Sequence, residues 1–410
     1  MTQKLRILAL LILPAGALLL ATGAGCATLY VLLPFFYQGP DLLTTSLTVA
    51  SVAAIGLTLG FGLTYQVRSF LRGRVSTTFH PPSPRRWVTV FLVCLLVGQL
   101  MTSLLPHTRV TALVFPPVHV LAAASPALAV LAFVGLRTRA GSWRTVVAEV
   151  SHGAVLAPAA ALVAELVVIL AVVIVISIVV ALTPGGLESL MDLAASLQDP
   201  AWLENPDNLA QLVLSPTALT GIVVVFVIMA PLIEEFFKGL GVLLLGFRLR
   251  GQTQALLWGV ACGAGFAVGE SLFNGSIALD GWGAVMLLRA GASLMHCVAS
   301  GFMGLGWHQA LVDRRPWRLL AAYGASTLIH ALWNAAAVSV AVLSLLVMSR
   351  PGEVSTQGIA TFAILGAMAF LLVLTTSMGI VLVRLTRRTV VASTEEETSD
   401  QEASFSNSVL

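Results

Sequence analysis

Long apolar runs, separated by short polar or arginine-bearing stretches, recur from one end of this chain to the other. The first covers Ile7 to about Phe36. Others fall near residues 43–66, 87–105, 111–136, 153–182, 216–247, 253–275, 284–311, 319–348 and 358–383. Each is long enough to cross a hydrocarbon core of roughly 30 Å as a helix. Backbone amides in lipid must be satisfied within their own segment, and the runs lack a two-residue alternation, so the pattern predicts helices and not a barrel. The first run continues past Cys26 through LYVLLPFF, which favours an uncleaved span over a signal peptide. The expected fold class is an all-α integral membrane protein with about ten transmembrane helices.

The polar punctuation orients these spans. With the N-terminus inside and the sides alternating, 18 of the 22 basic residues fall on the cytoplasmic side, among them Arg68, Arg72, Arg74, Arg144 and Arg248. Arg109, Arg289 and Arg350 fall outside, and Lys238 lies within a span. Loops rich in Lys and Arg stay cytoplasmic, so an N-in, C-in topology is expected. Composition adds the exclusion of a soluble domain. Apolar residues make up 58% of the chain and charged ones 10%, where soluble domains carry about a quarter. The cysteines Cys26, Cys94, Cys262 and Cys297 lie in apolar stretches without paired spacing and read as small hydrophobes.

Candidate chemistry is concentrated in four later spans. Charges near the bilayer centre cost at least about 2.5–3.5 kcal/mol each, so each needs a partner or a use. Pro231 interrupts an overlong run and predicts a kinked or broken helix just before PLIEEFFKGLGV. There Glu234 and Lys238 are four apart and Glu235 is three before Lys238, so one ammonium can serve both carboxylates. In GVACGAGFAVGESLFN, Glu270 and Asn274 share a face, and Gly259, Gly263, Gly265 and Gly269 allow close helix approach. His296, Ser300 and Gly304 recur every four residues in the next span, and His330 stands one turn from Asn334 in the last. The set suits activation of water in a membrane cavity, and equally a proton relay. Glu149, His152 and Glu165 form a separate group for which structural pairing is the expected role.

These four ordered segments resemble the PrsW family of intramembrane proteases, more distantly the CAAX-prenyl protease and bacteriocin-processing Abi families. The resemblance spans about residues 215–340 and departs from the family pattern at Gly269-Glu270-Ser271 and at Asn274. It implies an intramembrane peptidase in which Glu234, Glu235, His296 and His330 are catalytic or metal-binding, supported by Lys238, Glu270 and Asn334. Zinc on His296, His330 and a carboxylate is one version; a metal-free glutamate mechanism uses the same residues, and the balance leans slightly to it. In either, Glu234 takes a proton from water and Asn334 donates to the oxyanion. The alternatives are a proton-coupled transporter and a non-catalytic peptide-binding protein.

The resulting organisation is an accessory transmembrane region (1–182), an external acidic loop (183–212), a PrsW-like catalytic region with the active-site bundle (213–388) and a disordered cytoplasmic tail (389–410). The loop sequence GLESLMDLAASL predicts a short amphipathic helix. The expected partners are the lipid bilayer and a single-pass or membrane-associated substrate such as an anti-sigma-factor-like protein, with no nucleic acid. The expected location is a prokaryotic plasma membrane.

Overall fold

A computed structural model describes residues 3–37, 39, 41–105, 108–277, 279, 281–349 and 354–409. Ten helices among them are long and apolar enough to cross a membrane, at the positions the hydropathy pattern predicts. The chain is an all-α, multi-pass membrane protein.

The first helices are α1 (Gln3–Phe36), α2 (Leu42–Leu71), α3 (Pro84–Leu104), α4 (Arg109–Thr138) and α5 (Trp143–Ser151). A π-helical turn, His152–Leu156, joins α5 to α6 (Ala157–Ala181). This fifth span starts ten residues earlier than expected, because Ser142 caps it through the Thr145 amide. The acidic segment that follows folds into α7 (Gly186–Ser196), α8 (Pro200–Glu204) and α9 (Pro206–Val213). Next come α10 (Pro216–Ile222), a π-helical stretch (Val223–Met229) and α11 (Ala230–Leu244). The last four are α12 (Gln252–Ile277), α13 (Trp282–Leu311), α14 (Pro316–Ser349) and α15 (Val354–Val409). Helix α15 runs through the tail expected to be disordered from Thr389. The segment Val390–Ala392 and the glutamates and alanines that follow contain no proline or glycine to stop a helix.

Contacts divide the chain into two units, neither continuous in sequence. Unit 1 comprises Met1–Pro158, Phe237–Ser326 and Met378–Leu410; unit 2 comprises Ala159–Phe236 and Thr327–Ser377.

In unit 1, α12 is the central element and packs on α13, α4, α2 and the α5 segment with its π turn. Its run from Ala255 to Ala261 is buried throughout: Leu256, Leu257, Trp258 and Val260 are all inaccessible. A Cβ on Gly263 would lie 2.3 Å from the His296 carbonyl, and one on Gly265 would lie 2.1 Å from that of Val150. Only glycine permits both approaches, which is how α12 serves two neighbours at once. A second apolar cluster joins Leu47, Phe91, Phe115, Leu272, Trp282 and Met286. His119 is buried there, with Nε2 donating to the Leu272 carbonyl and Nδ1 accepting from Trp282, both at 3.0 Å.

Unit 2 holds most of α6, helices α7 to α10, the π-helical stretch, the C-terminal part of α14 and the N-terminal part of α15. Leu166, Val167, Leu170 and Val173 of α6 are exposed in the isolated chain. On a membrane-spanning helix of mean hydropathy 3.2 this is a lipid-facing surface.

Candidate active site

The helix break expected at Pro231 takes the form of a π-helix. At its end the Ala230 amide reaches back five residues to the Val225 carbonyl. The next bond of that kind would run from residue 231 to the Phe226 carbonyl, and proline has no N–H to give. Asn334 supplies it, donating from Nδ2 to the Phe226 oxygen at 2.9 Å. One amide hydrogen of Asn334 is therefore committed to backbone.

One turn past the π stretch, unit 2 carries its carboxylates. Glu235 is fully buried and accepts from His330 Nδ1 at 2.9 Å. That bond fixes the tautomer and leaves the lone pair of Nε2 turned toward Glu234, whose Oε2 lies 3.8 Å away.

Unit 1 carries a second polar chain. Lys238 donates from Nζ to His296 Nδ1 at 3.0 Å, and His296 Nε2 donates to Glu270 at 2.7 Å. Arg289 grips the same carboxylate with both guanidinium nitrogens, at 2.7 and 2.9 Å. Asn274 adds a bond to Glu270 Oε1 at 3.0 Å, the i, i+4 pairing its spacing predicts. The Lys238 ammonium also stands 4.3 Å from the centre of the Phe266 ring, which packs against His296. All of these side chains stand on helices within spans, so the chain of charges is held together in low dielectric, where pairing is what makes it tolerable.

Arg289 is the partner that sequence reasoning did not assign to this group. It lies within α13 and is 9% exposed. Its position two turns before His296 on an otherwise apolar helix is the signal that could have found it. Cys297 is buried and Cys262 donates to the Lys238 carbonyl at 3.2 Å; all four cysteines are free. His308 is buried near Asp313.

Of the accessory group, Glu149 and His152 belong to unit 1, whereas Glu165 belongs to unit 2. His152 Nε2 donates to the Phe237 carbonyl at 3.0 Å, which is structural pairing. Both oxygens of the buried Glu149 lack a hydrogen-bond partner among the described residues, and Oε2 abuts Gly241.

A family model described as PrsW family intramembrane metalloprotease matches residues 141–374, more than half of the chain. The chain belongs to this family. No curated protein and no solved structure matches it. As a PrsW-family member it is an intramembrane endopeptidase whose substrate is a membrane protein. The match begins at the cap of α5 and so includes the fifth span with Glu149 and His152.

The family's description implies a metal, and the donors in unit 2 fit one. The 3.8 Å between His330 Nε2 and Glu234 Oε2 is too long for a hydrogen bond. It suits two ligands each about 2.0–2.2 Å from a shared ion. A histidine whose other nitrogen is held by a carboxylate, as Glu235 holds His330, is the usual support for such a ligand.

Proposed function

We propose that this protease hydrolyses a peptide bond of a membrane-associated protein, with Glu234, Glu235, His296 and His330 carrying the reaction. The observation that supports this best is the orientation of His330 by the buried Glu235, with Glu234 facing its second nitrogen. Helix α11 carries Glu234, Glu235 and Lys238 within five residues, which ties the carboxylates and the lysine–histidine chain to one chemistry.

A metal ion held by Glu234 and His330 would polarise the scissile carbonyl and acidify water. The family's description shifts the balance from the metal-free form toward this one; zinc is the ion the nitrogen and oxygen donors suit. The chain's own residues do the rest. Glu234 accepts the proton of the attacking water and returns it to the leaving amine as the C–N bond breaks. Glu235 keeps His330 in one tautomer. Arg289 holds Glu270, and Glu270 with Lys238 fixes both ring nitrogens of His296.

An apolar cavity of about 640 Å³ in unit 2 is where we place the membrane segment of the substrate. Val173 and Ile176 of α6 line one side, and Val225 and Phe226 of the π-helix line the other. An N-in, C-in topology in a prokaryotic plasma membrane, and an anti-sigma-factor-like substrate, complete the reading.

The test compares termini of membrane proteins in cells carrying the native chain, Glu234→Gln or His296→Ala at matched levels. New termini confined to the native chain would support the proposal and name a substrate. Matching profiles, with all three proteins folded, would sink it. Chelation and metal add-back on the purified pair decide the metal.

A further inference from the structure

The arginines of the polar loops do more than mark a side. In unit 1 the loop after α2 is stitched to the loop before α5: Phe79 donates to the Gly141 carbonyl and Trp143 to that of Thr77. Arg144 leans across this junction, donating from Nη2 to the Arg74 carbonyl at 3.0 Å and lying 5.0 Å from the Phe70 ring. Its Nε is buried and has no hydrogen-bond partner among the described residues.

Arg144 lines a cavity of about 110 Å³ together with Arg248, and no acidic residue lines it. The remaining wall is mostly apolar, with Ile12, Leu63, Val67 and Phe247 among its residues. Two guanidinium groups lining an apolar hollow, without a carboxylate among its lining residues, form a site for an anion that carries a hydrocarbon tail. Arg68, Arg72 and Arg74 line a neighbouring hollow of about 310 Å³ beside the stacked Phe61 and Tyr65. The excess of positive charge therefore extends across this end of α2.

We propose that this cavity binds an anionic phospholipid, its phosphate between Arg144 and Arg248 and an acyl chain along the walls contributed by α1 and α2. Basic pockets between transmembrane helices recognise anionic headgroups by this chemistry. The proposal does not depend on the catalytic assignments.

The test is native mass spectrometry of the full chain in detergent, titrated with phosphatidylglycerol or phosphatidylcholine. Phosphatidylglycerol should bind in preference, and Arg144→Gln/Arg248→Gln should weaken it roughly tenfold to thirtyfold, from about 1 kcal/mol per basic residue. Arg85→Gln/Arg86→Gln, an equal loss of charge outside the cavity, should leave binding unchanged. Arg144→Lys/Arg248→Lys should retain most of it, and the exposed Arg248→Gln alone gives a several-fold loss should the double variant not fold. Equal binding of the two lipids, or unchanged binding in Arg248→Gln, overturns the proposal. So does displacement of phosphatidylglycerol by millimolar inorganic phosphate, which would make a soluble anion the ligand.

Discussion

Asn334 donates to the carbonyl of Phe226, the one that Pro231 leaves without its π-helical donor. Two polar features at distant points of the sequence are thus one structural device. Proline removes a bond and widens the helix, and a carboxamide from α14 repairs it.

Replacing Asn334 with Ala should cost about 1–3 kcal/mol by leaving that carbonyl unsatisfied. The cost should shrink when Pro231→Ala restores an N–H to the helix. Thermal unfolding of the two single variants and the double variant measures this coupling. Additive losses would show that the two residues act independently.

The carboxylates flanking His330 should separate by role. Glu234→Gln removes the proton acceptor and should lower cleavage by roughly 10²–10⁴-fold. Glu235→Gln still accepts from His330 Nδ1 through its amide oxygen but loses the charge, and a loss of about 10–100-fold is expected. Cleavage rates and bound-metal content, measured on both variants, would fail the assignment if Glu235→Gln were the more damaging.

Breaking the fork between Arg289 and Glu270 should destabilise unit 1. Loss of one partner from a fully buried pair costs roughly 3–5 kcal/mol. Glu270 keeps 32% of its side chain exposed, so about 2 kcal/mol is expected for Arg289→Leu. Arg289→Leu/Glu270→Leu should recover much of that stability without recovering cleavage. Detergent melting curves alongside a cleavage assay distinguish the two effects.

Gly263→Ala should be damaging and Gly366→Ala should not. A Cβ at position 263 meets the His296 carbonyl at 2.3 Å, whereas one at 366 meets nothing within 4 Å. Forcing α12 from α13 should cost about 1–3 kcal/mol and shift His296 with its helix. At position 366 the change should be neutral or stabilising by up to about 1 kcal/mol. Unfolding midpoints of the two variants provide the comparison.

The sequence by itself determined the ten spans, the concentration of polar groups in four of them and the break at Pro231. These are readable because lipid imposes a length and an apolar composition on every crossing segment, and a charge within one is conspicuous. Local helical spacing also predicts Asn274 on Glu270 and the glycine faces of α12. Tertiary structure decided the partners. That Lys238 holds His296, that Arg289 holds Glu270 and that Asn334 completes the π-helix are contacts 19–108 residues apart in the chain. No periodicity encodes which of several polar side chains on one helix will meet which on another. Burial in low dielectric requires only that each be paired, and the packing of the helices selects the pair.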